Sequence, residues 1–275
     1  MRILYFLTLL SLLILVGCGG STSSDNVTTS DNTTAIVSNA EYRIVATGQT
    51  ECYDTDGNVI DCPQAGESLY GQDAQFIKNE FSFNDLGNGL VQDLNTGLIW
   101  QQSPTSQTFT WENVVNYCNS LTLGGYDDWR VPSAKELFSL SNFSEGWPYI
   151  DTKYFELASG NITKDEQYWT SNYYVGTTVE GGEDAAFGVN FVTGHIKAYS
   201  AKATGPIGEK YVRCVRGNAY GNNNFIDNLD GTITDNATSL MWSQTDFGPF
   251  DWEEALQFAY DSNYAGYTDW RLPAL

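Results

Sequence analysis

The chain has 275 residues, 34 of them acidic and 13 basic, with a formal charge of −21 and a single histidine. So acidic a surface makes nucleic acid and anionic lipid headgroups poor partners; it is read first as keeping an exported protein soluble, with binding of cations or cationic surfaces as the alternative. One histidine excludes a His-rich metal site and leaves little for a Ser-His-Asp or Cys-His nucleophile. An aromatic content of 14% with 26 glycines suits a turn-rich domain of short strands held by large side chains.

In chain order, Arg2 precedes an apolar run from Ile3 to Val16, too short to span a bilayer and patterned as a secretory signal over 1–17. Leu15-Val16-Gly17-Cys18 resembles a bacterial lipobox, which implies cleavage before Cys18 and a lipid on its sulfur. Gly19 in place of Asp points to the outer membrane or cell surface rather than inner-membrane retention. Cleavage removes Arg2 and no acid, leaving 12 basic and 34 acidic residues and a charge of −22. Residues 18–40 are rich in Ser, Thr, Asp and Asn and lack aromatics, so they read as a coil tether spanning about 25 Å.

Setting Cys18 aside, four of the five cysteines remain, an even number for an oxidising compartment. In the 41–80 leader, Cys52 and Cys62 flank Asp56-Gly57, a two-residue hairpin signal that brings the sulfurs together. Cys118 and Cys214 are left for a second bridge, joining a helix to a late strand.

The strongest signal is a repeat. Phe83–Pro132 and Phe225–Pro273 share a pattern in which Trp100, Trp111 and Trp129 match Trp242, Trp252 and Trp270 at offsets of 142, 141 and 141. Self-similarity at a fixed offset marks one folding unit used twice. The reading is a complete module over 81–217 and the front half of another, truncated, over 225–275. Within the first, Leu90–Trp100 reads as a hairpin turning at Asn95-Thr96-Gly97, matched by Thr232–Trp242 turning at Asn236–Ser239. Thr110 reads as an N-cap, followed by a face of Trp111, Val114, Val115 and Cys118; Trp252, Ala255, Leu256 and Ala259 repeat it. Ser133-Ala134-Lys135-Glu136 is a capping box. Strands are expected at 168–172, 185–192, 195–200 and 211–216. Early helices and late strands indicate an α+β domain.

These motifs support a family resemblance. N-G-x-V-x-D-x-x-T-G-L-x-W, then T-W-E, G-G-Y-x-D-W-R-x-P-x-x-K-E-L, Y-W-T-S-N and Y-V-R-C-V-R-G, preceded by T-G-Q-T-E-C-Y-D, resemble the Lcl C-terminal domain family. The family is mostly of unknown function and includes an adhesin that binds sulfated polysaccharide through a basic surface, a ligand that does not transfer to an acidic chain. W-R-V-P-S-A-K-E-L also resembles a segment of C-type-lectin-like folds and implies that architecture.

Asp128-Trp129-Arg130 and Asp269-Trp270-Arg271 admit two readings. Arg130 either clamps a ligand while stacked on Trp129, or pairs with a carboxylate and packs on aromatic faces; the structural reading is preferred. Asp227, Asn228, Asp230 and Asp235, with Asp85, Asn88 and Asp93 in the first copy, are spaced loosely like a calcium loop but are also explained by Asx-turns, so no metal or cofactor is expected. His195 follows a Gly at a hairpin turn, which predicts exposure. Trp242, Trp252 and Leu256 are expected to leave an apolar face that leans on the first module or stays loosely ordered. The expected function is non-catalytic: surface display for binding or adhesion, with a glycan or envelope protein meeting the loops at 147–154 or 173–184. The alternatives are a structural envelope protein and a carboxylate-dependent hydrolase, for which no acid pair stands out.

Overall fold

Short strands punctuated by Asn, Asp and Gly build the molecule. The computed structural model describes residues 40–76, 79–160, 162–177 and 184–274. The expected signal segment 1–17, Cys18 and the expected tether up to residue 39 lie outside the described residues.

The leader forms the two-stranded hairpin β1 (Cys52–Tyr53) and β2 (Val59–Ile60), with Cys52 opposite Ile60. Its turn differs from the expected two-residue type. The loop runs from Asp54 to Asn58, and only Gly57 takes a positive φ (83°), whereas a type I′ pair needs two such residues. The Asp54 carboxylate organises it, accepting hydrogen bonds from the Asp56 and Asn58 amides at 3.0 and 2.8 Å. The flanks meet as expected: Cys52 and Cys62 are disulfide-bonded with Cα atoms 5.1 Å apart.

Next come β3 (Phe83–Gly87), β4 (Leu90–Asp93) and β5 (Ile99–Gln101). The β3 strand extends the expected hairpin into a meander. Its turn is Asn88-Gly89, both at positive φ (53° and 78°), the twist that a tight hairpin requires. Helix α1 (Trp111–Ser120) and helix α2 (Ala134–Phe138) follow, the latter with the capping box formed by Ser133 and Glu136. On α1, Val114 and Cys118 are buried, but Val115, expected on the same face, is exposed, and Thr110 occupies the N-cap without a side-chain bond. The antiparallel sheet of β6 (Gln167–Tyr174), β7 (Ala185–Asn190) and β8 (His195–Ser200) comes next. Tyr173 and Tyr174, expected in a loop, end β6 opposite Ala186 and Ala185.

The expected 211–216 strand narrows to β9 (Val215–Arg216), which returns to the first sheet in the order β3-β4-β5-β9. Val215 lies opposite Trp100, and the Val215 and Arg130 backbones exchange 2.9 Å hydrogen bonds on the other side. Cys118 and Cys214 are disulfide-bonded with Cα atoms 5.7 Å apart, tying α1 to the segment entering β9. Two apolar clusters flank this return. Trp129, Trp169, Val114, Val212 and the bridge fill one, and Trp100, Leu137, Phe155, Tyr168, Phe191 and Val215 the other.

A further antiparallel sheet, β10 (Phe225–Asp227), β11 (Thr232–Asp235) and β12 (Leu240–Ser243), leads into α3 (Trp252–Asp261). Its register repeats the first sheet at the same offset: Phe225 faces Asp235 as Phe83 faces Asp93, and Trp242 faces Ile233 as Trp100 faces Val91. Burial differs. Trp100 is 0% exposed and Trp242 41%. Of the expected face on α3, Leu256 and Ala259 are buried while Trp252 is 43% exposed. The helix leans on the leader: the Tyr70 and Tyr260 rings lie 5.2 Å apart, and Ser68 hydrogen-bonds Glu253. The chain before the leader is also held, with the Glu41 amide on the Ala237 carbonyl at 2.9 Å, the Tyr42 and Tyr220 rings at 4.9 Å, and the Phe143 amide on the Thr47 carbonyl at 2.7 Å. The described part is thus mostly small antiparallel sheets with few helices.

Candidate functional site

The Asp-Trp-Arg triplet of the first module is part of the frame. Trp129 is 2% exposed. Arg130 makes a bidentate pair with Glu136, both bonds 2.7 Å, and reaches the Gly217 carbonyl at 3.2 Å. Glu136 is 1% exposed and also accepts from the Ser133 amide at 2.7 Å and the Tyr220 amide at 3.0 Å. Burial alone raises a carboxylate's pKa; here Arg130 and the two amides outweigh it and hold Glu136 below its usual value. The expected aromatic stacking falls to another arginine. Arg216 lies over the Tyr126 ring at 3.8 Å and grips Asp128 at 2.7 and 3.0 Å, which lowers the Asp128 pKa. In the second triplet, Arg271 sits 5.3 Å over the Phe76 ring and donates to the Leu272 carbonyl. Asp269 is exposed, and Trp270 is half-buried with its indole N–H on the Tyr264 carbonyl.

The calcium-like carboxylates serve as turn acceptors. Asp85 takes the Gly87 amide, Asp93 the Asn95 amide and the Thr96 hydroxyl, Asp227 the Leu229 amide, and Asp230 the Thr232 amide. Asp235 accepts from the Asn224 and Ala237 amides and from the Asn223 and Thr238 side chains, which together outweigh burial and lower its pKa. Burial raises the Asp93 pKa despite its own bonds. His195 is half-buried rather than exposed, with Nδ1 2.7 Å from the Thr193 hydroxyl; burial and nearby Lys197 lower its pKa.

Arg213 was not singled out from sequence. It is 0% exposed, donates to the carbonyls of Gln101, Gln102 and Glu156 at 2.6 Å each, and lies 5.1 Å from the Phe155 ring centroid and 5.7 Å from that of Tyr168. The Tyr168 hydroxyl donates to buried Glu166 at 2.8 Å, and burial raises the Tyr168 pKa. The signal was present: in Tyr211–Arg216 the strand period puts Arg213 on the side of Val215.

One partly exposed group of aromatic and charged side chains lies at the start of α1 and the end of β6. Trp111 is half-buried, its indole N–H held by the Thr170 carbonyl at 2.8 Å and its ring 5.5 Å from Tyr173. Tyr173 is 40% exposed and donates to Asp184 at 2.8 Å, and Lys202 pairs with the other Asp184 oxygen at 2.6 Å. Those bonds lower the Asp184 pKa and raise those of Tyr173 and Lys202. Residues 178–183 of the expected loop lie outside the described residues. In the other expected loop Trp147 is 54% exposed, but Ile150 is 1% exposed and the Tyr149 amide bonds the Phe191 carbonyl, so the segment is anchored.

The model of the Lcl C-terminal domain family matches residues 89–216 and 231–275. The chain belongs to the Lcl C-terminal domain family. No curated protein matches it. The Lcl C-terminal match takes in both Asp-Trp-Arg triplets, the bridge between Cys118 and Cys214, and the surface around Trp111 and Tyr173.

Proposed function

We propose that this Lcl C-terminal domain protein is a non-catalytic lipoprotein, anchored through Cys18 to the outer membrane or cell surface, that binds a glycan or envelope component. The reading rests on the Trp111, Tyr173, Asp184 and Lys202 surface, where an exposed ring stands beside a carboxylate and an ammonium. Such a surface can stack an apolar sugar face while hydrogen-bonding its hydroxyls. A lectin-like architecture accords with early helices, late antiparallel strands and a bridge joining the two. Within the module, the conspicuous carboxylates are already engaged: Glu136 with Arg130, Asp128 with Arg216, and Asp93 within its own turn. A front half of a second module over 225–275 accords with the repeated register.

The test is a glycan array and an envelope pull-down with the purified protein, repeated with Tyr173→Ala and Lys202→Ala. The expected result is retention on a ligand that both variants lose while keeping the wild-type circular dichroism. Retention on no glycan, with crosslinking to one envelope protein only, would instead establish a structural role. Loss of radiolabelled palmitate incorporation in Cys18→Ser tests the anchor.

A further inference from the structure

A cavity of about 280 Å³ opens at the start of β6, at the end of the strand away from Tyr173. Thr108, Asp165, Gln167, Glu209, Lys210 and Tyr211 line it. Paired backbone holds the lining in place. The Tyr211 amide donates to the Gln167 carbonyl at 3.0 Å, and the Phe109 and Lys210 backbones exchange bonds of 2.9 and 3.0 Å.

The lining is rich in acceptors that lack donors. The Asp165 carboxylate accepts no hydrogen bond and joins no ion pair among the described residues. Glu209 accepts a 3.3 Å bond from the Thr108 hydroxyl. The Gln167 Oε1 atom is buried and has no hydrogen-bond partner. A buried amide oxygen without a donor carries a desolvation cost that a donor brought by a ligand would offset. The last torsion of a Gln side chain is soft, so the amide can turn toward the cavity it lines. The lysine in the wall is already committed. Lys210 is 5% exposed, its Nζ donates to the Pro206, Ile207 and Glu209 carbonyls at 2.8, 2.9 and 3.3 Å, and it lies 4.8 Å from the Tyr199 ring centroid. The local field is negative enough to reach Tyr211, whose pKa is raised by burial and then by the Glu166 and Asp165 carboxylates.

We propose that this cavity binds a small primary amine no larger than an amino sugar. The ammonium brings three donors, and Asp165, Glu209 and the Gln167 carbonyl supply three acceptors, two of them charged. The Tyr211 ring borders the space left for the body of the ligand, and the volume sets its size near one sugar ring. The cavity and the Trp111 and Tyr173 surface lie at opposite ends of β6, so this inference stands or falls separately from the glycan reading.

The probe is glucosamine, titrated into the purified full chain by calorimetry at low salt, with glucose as the uncharged control. The expected result is saturable glucosamine binding that weakens with salt, with glucose weaker by roughly tenfold or more. Asp165→Asn and Gln167→Leu should each weaken glucosamine by roughly tenfold, and Tyr173→Ala should leave it unchanged. Asp165 is exposed, so Asp165→Asn is expected to fold normally, and circular dichroism checks both variants. If Gln167→Leu fails to fold, Glu209→Gln takes its place. The proposal is overturned by absence of glucosamine binding, by equal binding of glucose, by indifference to Asp165→Asn, or by loss of binding in Tyr173→Ala, which would put the amine on the other surface.

Discussion

Arg130→Ala tests whether the Asp-Trp-Arg triplet is a structural clamp. The substitution removes two 2.7 Å donors from Glu136 and leaves a carboxylate that is 1% exposed with only the Ser133 and Tyr220 amides. Orphaning one member of a fully buried ion pair costs about 3–5 kcal/mol. The Arg130 side chain is itself 33% exposed, so water can reach part of the vacated space, and the expected loss is about 2–3 kcal/mol. For a chain this long that lowers the melting temperature by roughly 4–12 °C. The pH dependence carries a sign. Arg130 and the amides depress the folded-state pKa of Glu136, so its contribution is complete above the unfolded-state value of about 4.3 and is lost as pH falls through the folded value. The gap between wild type and Arg130→Ala should therefore be widest near neutrality and close as pH falls through the depressed folded value. Urea denaturation followed by circular dichroism across pH, with Glu136→Ala and the double variant completing a thermodynamic cycle, measures both effects. A loss below about 1 kcal/mol at neutral pH, a gap independent of pH, or strictly additive single variants would refute the reasoning.

Two further contrasts test the fold. Replacing Cys118 and Cys214 by Ala removes a bridge across 96 residues and should cost up to about 4–5 kcal/mol, whereas losing the bridge between Cys52 and Cys62, which spans 10 residues, should cost about 3 kcal/mol or less; non-reducing thermal melts give the order. Trp100→Ala should cost about 3–5 kcal/mol in urea denaturation and Trp242→Ala no more than about 1.5 kcal/mol, because the first indole is fully buried and the second 41% exposed. Equal costs would mean that the two sheets are covered alike.

Features set by short-range chemistry were legible in sequence. The Ser133 capping box needs only residues three apart, and the leader bridge needs only a turn between its cysteines. The Asn88-Gly89 turn is equally local, but β3 carries no apolar alternation to mark it, since all but its first residue are exposed. Long-range pairings were not legible. That Arg216, not Arg130, stacks on a tyrosine depends on β9 returning beside β5, which joins Trp100 to Val215, 115 residues apart. The rest of α3 against the leader joins Ser68 to Glu253, 185 residues apart, and no local pattern announces it. Val115 and Leu256 occupy matching helix positions but differ in burial because α1 and α3 meet different neighbours. At the candidate surface, sequence marked Tyr173 and Asp184 only as loop residues, and Lys202 joined them through the β7 and β8 hairpin.

The fastening of residues 41–47 sets the path that force takes through this protein. A pull applied at Ala40 loads the Glu41 amide on Ala237 first, then the Tyr42 and Tyr220 rings, and only afterwards the Thr47 carbonyl on Phe143. The contact with the turn of the β10 to β12 sheet would therefore part before strain reached the leader hairpin, where a covalent bridge stops extension between residues 52 and 62. If a copy were held by its N-terminal residues and dragged, contact with this acidic end would part while the half secured by the Cys118 link kept its shape.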